Sequence, residues 1–370
     1  MNFAEVLINP VTTLPVKRSA DQPFRKYLKD LMEKFIAIAE SSTEFSKSKR
    51  TNDSNSELLQ SDLRLLIDGI CSTVDRYFEG SPAEAYQTLE DTLTISKVGE
   101  ILWKDGTLPL GTDVFRIRSK NGNYPLNKCD LFHIPFHQRG LVRTQRFSIP
   151  GLPSLYLANS VYVAWEEMSR PNISEIQAVR LQNTRPLRFL DLTTDDYNHH
   201  IMNDILQFKP KEIRNKMFTW PIIAACSIKV AEPNASFKPE YIIPQLLLQW
   251  IKKQNLDGIK YSSTHIQAAE RLHTGGFYNL VLPVKSFETD EGYCPILARL
   301  FRSTQVLPMQ LQQFATTTGS FMGQESISAQ VNKDIYSLEL IKGKDEPYWH
   351  TSFGMLEHAL KGLTLEAILE

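Results

Sequence analysis

From Phe24 onward, apolar side chains return every three or four residues: Phe24, Tyr27, Leu28, Leu31, Phe35, Ile38 and Ala39. That spacing predicts an amphipathic helix with one buried stripe. A second stripe runs through Leu59, Leu63, Leu66, Ile67, Ile70, Val74, Tyr77 and Phe78. Between them residues 41–57 are rich in Ser, Lys, Asn and Asp, with too little apolar surface for a core, and read as a loop or flexible linker. Ser81-Pro82-Ala83-Glu84 has the form of a capping box, with Pro at the first helical position. Three packed helices are therefore expected over residues 1–107.

Past Leu108 the texture changes to short apolar runs separated by turns. Residues 114–118, 154–158, 187–192, 225–230, 258–261 and 278–282 read as strands. Helical patterns lie between them near residues 161–169, 197–217 and 245–255. Together they predict one α+β domain over residues 108–300. Residues 301–370 form a weaker extension, with Thr316-Thr317-Thr318-Gly319-Ser320, one strand at 335–341 and a helix from about Phe353.

Composition narrows the function classes. The chain has 370 residues, 41 Lys and Arg against 42 Asp and Glu, and a formal net charge of −1. That balance lacks the surplus of cations that broad nucleic-acid binding needs to displace counterions. No apolar run approaches the ~20 residues of a membrane span. The first fifteen residues lack the basic and apolar regions of a signal peptide. Four scattered cysteines (Cys71, Cys129, Cys226, Cys294) suit reduced thiols, so a cytoplasmic protein is expected.

Common catalytic motifs are absent: no G-x-G-x-x-G after a strand, no P-loop, no H-E-x-x-H and no G-x-S-x-G. Cys129, His133 and His137 are spaced four apart, but Pro135 interrupts any helix that would align them, and metal binding is not expected. His199-His200 read as a partly exposed pair. The segment 245–251 is apolar around most of its circumference and reads as buried packing.

Three blocks remain. Phe115-Arg116-Ile117-Arg118 places two arginines on one strand face. Residues 144–160 carry Arg146-Phe147 and the strand Leu155-Tyr156-Leu157-Ala158, and continue to Trp165-Glu166-Glu167. Asp257-Gly258-Ile259-Lys260-Tyr261-Ser262-Ser263 is followed by Tyr278-Asn279-Leu280-Val281-Leu282. Taken singly, each has a plain structural explanation: a solvated strand Arg, a polar helix face, a packed Tyr, a turn of two serines. Their order is the informative feature.

In that order, over residues 114–283, the blocks resemble the RES-domain family, named for its Arg, Glu and Ser. The resemblance implies a fold similar to ADP-ribosyltransferases, a mixed β core with helices, here preceded by a helical N-terminal domain. It implies a toxin of a toxin–antitoxin pair that consumes NAD or transfers its ADP-ribose. Residue by residue, it carries the first family Arg to Arg116, the second to Arg146 before Phe147, the strand Tyr to Tyr156, and the helix Glu to Glu167, with Glu166 a rival. The family Ser falls on Ser263, with Ser262 beside it as the alternative. Asn279 lies in the closing strand. Thr144-Gln145 stands where a Gly pair is usual in the family.

These residue types suit the chemistry. Cleavage of the nicotinamide–ribose bond passes through an oxocarbenium-like state that a carboxylate stabilises, a role for Glu167. Guanidinium groups bind pyrophosphate oxygens in pairs, a role for Arg116 and Arg146. Tyr156, and secondarily Phe147, would stack on a ring. Ser263 would hydrogen-bond ribose or phosphate, since no His–Asp pair is placed to activate it. NAD enters as a substrate, so no resident cofactor and no metal are expected. The expected partners of the helical region are an antitoxin or regulatory protein, or a second copy in a homodimer; a membrane is not. The rivals to NAD hydrolysis or phosphorolysis are ADP-ribosylation of a macromolecule and a catalytically silent module that binds nucleotides or a partner.

Overall fold

The computed structural model describes residues 1–48, 60–104, 106–120, 124–197, 208–266, 276–286, 290–314, 335 and 337–369. Thr316 to Ser320 and the His199-His200 pair fall outside them. The architecture is mixed helix and sheet with a helical N-terminal region. Among the described residues no helix is long and apolar enough to cross a membrane.

The chain forms two compact units, and neither is contiguous in sequence. The first comprises Met1–Gly106, Gln145–Ser148 and Leu190–Leu256; the second comprises Thr107–Thr144, Ile149–Phe189 and Asp257–Glu370. The sequence divides instead at 107 and 300. Later helices return to the first unit, and the C-terminal segment enters the second unit's sheet.

In the first unit both sequence stripes become helices, Phe24–Glu40 and Gln60–Phe78, with most of their apolar positions buried, although Phe78 is exposed and Leu59 lies outside the described residues. Gln60–Phe78 packs on Pro82–Ile95, and Gly69 permits the approach, because a Cβ there would overlap the Thr92 side chain. Pro82 occupies the first turn, but Ser81 makes no side-chain cap bond, so the expected capping box is absent. The polar stretch from residue 41 contains a helix, Thr43–Ser48, which buries Phe45. The helices Pro210–Ser227 and Ile242–Lys253 complete this core. Trp220 stacks on Phe35 with ring centroids 4.1 Å apart, and its Nε1 donates to Thr12 O at 2.8 Å. The first half of the strand expected at residues 225–230 is the end of Pro210–Ser227. Every residue from Met217 to Ser227 is buried, and a helix buried all round shows no 3.6-residue period to read.

The second unit is built on a ten-stranded sheet. Its strands are β1 (Thr107–Leu108), β2 (Asp113–Ser119), β3 (Ser154–Ala158), β4 (Ile176–Asn183), β5 (Leu187–Leu192), β6 (Gly258–Ser262), β7 (Tyr278–Pro283), β8 (Phe301–Ser303), β9 (Leu307–Pro308) and β12 (Glu366–Ala367). The hairpin of β10 (Ser337–Ile341) and β11 (Lys344–Pro347) stands apart. The order is β1-β5-β6-β7-β3-β2-β4-β8-β12, with β9 also on β4. Strand β4 has no counterpart among the sequence expectations, because it carries Gln177, Arg180 and Asn183 among its apolar residues. All three are buried and bonded: Asn183 Nδ2 donates to Pro109 O at 2.7 Å, and Arg180 pairs with Asp113 at 3.4 Å.

Side-chain alternation gives the sheet two apolar faces. One gathers Val114, Leu155, Leu157, Val179, Leu280 and Leu282 with Phe132 and Phe136. The other gathers Phe115, Ile117, Ala158 and Ala178 under the helices Val161–Glu167 and Ser352–Lys361.

Candidate active site

Three adjacent strands meet at Ala158. It pairs with Phe115 of β2 on one side and with Asn279 of β7 on the other. Strands β2 and β4 stay in register from Asp113↔Gln182 to Ser119↔Ile176, whereas β2 and β3 pair only at Phe115↔Ala158. Away from that pair, the Arg116 guanidinium takes the place of a backbone donor: its Nη1 donates to Tyr156 O at 2.7 Å. Arg116 Nε is buried and has no partner. Burial pulls its pKa down to about 9, with Arg118 adding like-charge repulsion and Tyr156 opposing, so the side chain stays cationic at neutral pH.

Arg116 and Arg118 project to the face that holds His133, and Arg116 is among the groups that lower the His133 pKa. His133 is completely buried. Its Nε2 accepts from Cys294 N at 2.8 Å, and its Nδ1 lies 2.7 Å from Ile134 O. Both ring nitrogens are thus committed. Tyr293, whose ring lies 5.4 Å from that of His133, has its hydroxyl pKa raised, chiefly by burial. The sequence brought out His133 only through its spacing from Cys129 and His137.

Two residues after Ala158, Ser160 caps the helix Val161–Glu167 by accepting from Val163 N at 3.1 Å. Trp165 Nε1 donates to Pro171 O at 2.8 Å and ties down the far end. The two glutamates there differ. Glu166 is buried and paired with Arg170 at 2.9 Å. Both keep a buried Oε1 without a hydrogen bond, but among the described residues no ion pair to Glu167 is found. Immediately beyond, Ser169 and Arg170 both adopt left-handed backbone, φ 62° and 55°. Non-glycine residues pay about 1–2 kcal/mol each for that conformation. The Glu166 pair and the Arg170 guanidinium over Trp165, 5.4 Å from its centroid, hold the turn in place.

Asn279 sits between Ala158 and Tyr261 in the sheet register, and its Nδ2 is buried without a partner. Ser262 pairs with Tyr278. Ser263, fully buried, donates its N–H to Phe277 O at 3.4 Å, and its hydroxyl accepts from His265 N at 3.2 Å. Asn159, which the sequence did not single out, bonds the start of β7 twice: Nδ2 to Gly276 O at 2.6 Å, and Oδ1 from Tyr278 N at 3.3 Å.

Arg116, Tyr156, Glu167, Ser262, Ser263 and Asn279 lie in the second unit, but not on one face of its sheet: Arg116 shares the face of Val114 and His133, whereas Tyr156 and Asn279 share the face of Ala158, which the helix Val161–Glu167 covers. Arg146 and Phe147 belong to the first unit. There Arg146 Nη1 donates to Cys226 O at 2.8 Å and its guanidinium stacks over Tyr241, while the Phe147 ring is 1% exposed. Among the described residues no cluster of three metal-ligating side chains occurs.

Residues 113–291 match the RES domain. A Bacillus subtilis (strain 168) protein named "Putative toxin YopC" is 32% identical over 249 residues, covering 63% of this chain. The chain covers 55% of that relative's length. No solved structure matches.

Proposed function

We propose that this chain, whose residues 113–291 are a RES domain, is a toxin-type enzyme that cleaves the nicotinamide–ribose bond of NAD. One observation carries the reading. Arg116, Glu167 and Asn279, each singled out by its residue type and place, all keep a buried polar atom without a protein partner. Buried polar groups are nearly always satisfied, so such atoms on functional side chains mark where a ligand would supply the missing bonds. NAD offers phosphate oxygens for Arg116, ribose hydroxyls for Glu167 and an amide for Asn279.

In this reading the Arg116 guanidinium, on the opposite sheet face from Tyr156 and Asn279, reaches the pyrophosphate through the gap where β2 and β3 part beside Phe115↔Ala158. Tyr156 lies against a ring, and the Ser262-Ser263 corner supplies a hydroxyl to ribose or phosphate. As the C–N bond breaks, its electron pair goes to the nicotinamide nitrogen, which becomes a neutral pyridine. The positive charge left on the ribose is stabilised by the Glu167 carboxylate. Water or phosphate then attacks the ribose carbon and a proton is lost. Glu167 is favoured over Glu166 because Arg170 already neutralises Glu166.

The name of the Bacillus subtilis relative favours a toxin role. Draining NAD would act in the cytoplasm and stop growth. The helical first unit is then the natural place for an antitoxin, a regulator or a second copy to bind. The test is incubation of purified protein with NAD, following nicotinamide release, with Glu167→Gln in parallel. Release by the parent and not by the variant is expected; release by neither would overturn the reading. Label from the ADP-ribose part of NAD, free in solution or retained on macromolecules, separates hydrolysis from transfer.

A further inference from the structure

The residues beyond 291 lie outside the RES match, yet one of them reaches the helix that carries Glu167. Glu357, on the helix Ser352–Lys361, is fully buried. Its Oε1 accepts from Val161 N at 2.7 Å and, in a short hydrogen bond, from the Tyr348 hydroxyl. Val161 is the first residue of Val161–Glu167, so its N–H is one of the donors that a helix start leaves unsatisfied. Ser160 takes the third of these donors, at Val163, and Glu357 takes the first.

We propose that Glu357, held by Tyr348, is a positioning residue: it anchors the start of Val161–Glu167 and thereby sets where the Glu167 carboxylate lies. The inference rests on Glu167 acting on the substrate. A two-turn helix is too short to be stable alone, so its end contacts fix its orientation. At ~1.5 Å rise per residue, Glu167 lies only about 10 Å along the axis from that anchor. A carboxylate at a helix start also suits the helix dipole. Stability alone is a poor account of this residue, because a buried carboxyl is costly. Burial drives its pKa up to about 7, with Tyr348, Val161 N and Lys361 opposing and Asp113 adding to the rise.

The test uses the full chain with Glu357→Gln, which keeps an acceptor, Glu357→Leu, which removes it, and Tyr348→Phe, which removes the holding hydroxyl. Two readouts are taken: kcat and KM for NAD from nicotinamide release, and amide hydrogen exchange of residues 160–167 against β4. For Glu357→Leu, kcat should fall about 10- to 100-fold with KM within about threefold, since a misplaced transition-state group costs kcat. Tyr348→Phe should follow in the same direction, which keeps the test decisive should Glu357→Leu fail to fold. Glu357→Gln should retain the parent's kcat. Exchange should rise over 160–167 and not over β4. Unchanged kcat in both disrupting variants, or exchange rising equally across β4, would overturn the proposal. If the parent itself releases no nicotinamide, the NAD reading falls, and the exchange comparison alone decides whether Glu357 anchors the helix.

Discussion

The Cys294 amide donates to Nε2 of His133 at 2.8 Å, so that nitrogen must carry a lone pair. Nδ1, facing Ile134 O at 2.7 Å, must then carry the proton. Only one neutral tautomer satisfies both contacts, and a second proton would collide with the Cys294 N–H. Burial, with the Arg116 charge also unfavourable to a cation, brings the His133 pKa down to about 4. The ring should therefore be neutral at pH 5.5, by NMR of the imidazole nitrogens; a charged ring there would contradict the structure. Its contribution to stability is complete above about pH 6.5 and is lost as pH falls towards 4.

Glu357 titrates in the opposite sense. Its pKa is raised from 4.5 to about 7, so its contribution is complete below pH 4.5 and is lost as pH rises through 7. The two groups oppose each other between pH 4.5 and 6.5. Glu357→Gln removes one of them, and its stability relative to the parent should improve from pH 4.5 to pH 8 by on the order of 3 kcal/mol. Denaturant melts at the two pH values measure this; a constant difference would refute it.

Arg116 should cost stability and confer activity. Among the described residues no ion pair of Arg116 with a carboxylate is found, and the Arg118 charge repels it. Arg116→Met should raise stability by about 1–2 kcal/mol, net of the lost bond to Tyr156 O, because an uncompensated buried cation is removed. The same variant should lose nicotinamide release. A fall in both melting temperature and activity would mean that the guanidinium serves packing.

The adjacent glutamates should separate cleanly. Glu166→Gln breaks the pair with half-exposed Arg170 and loosens the left-handed turn, with a stability cost of about 1 kcal/mol. Activity should persist within about tenfold. Glu167→Gln should leave the melting temperature unchanged and lower kcat by about 100-fold or more. The reverse pattern would move the catalytic role to Glu166.

Deleting residues 1–106 should not release a well-behaved enzyme. Trp220 would lose the Phe35 ring and the Thr12 carbonyl, and the apolar faces of Pro210–Ser227 and Ile242–Lys253 would be bare. Aggregation on size-exclusion chromatography is expected; a monomeric fragment with a cooperative melt would contradict it.

The helix Phe24–Glu40 was legible because one face meets water and the other does not. Strands β2, β3, β6 and β7 are covered on both faces and were legible instead as short apolar runs between turns. Where burial is complete the period vanishes, which is why residues 225–227 read as strand. Polar residues hidden inside, such as Gln177 and Arg180, concealed β4, because their partners lie far along the chain. Candidates in the second unit came from residue type and order. The reach of Glu357 to Val161 depends on three-dimensional pairing that no spacing encodes, whereas the Glu166–Arg170 pair lies within i,i+4 reach.

The stacking of Trp220 on Phe35 also has a consequence for biosynthesis. Phe35 and its apolar stripe leave the ribosome long before Trp220 has been polymerised. At about 5–20 residues per second the delay is roughly 10 to 40 seconds. Throughout that interval the nascent helices hold half a core with nothing to cover it. Chaperones that bind apolar surface therefore have their main opportunity early in translation, and the first unit closes only after β2, β3 and β4 have already emerged.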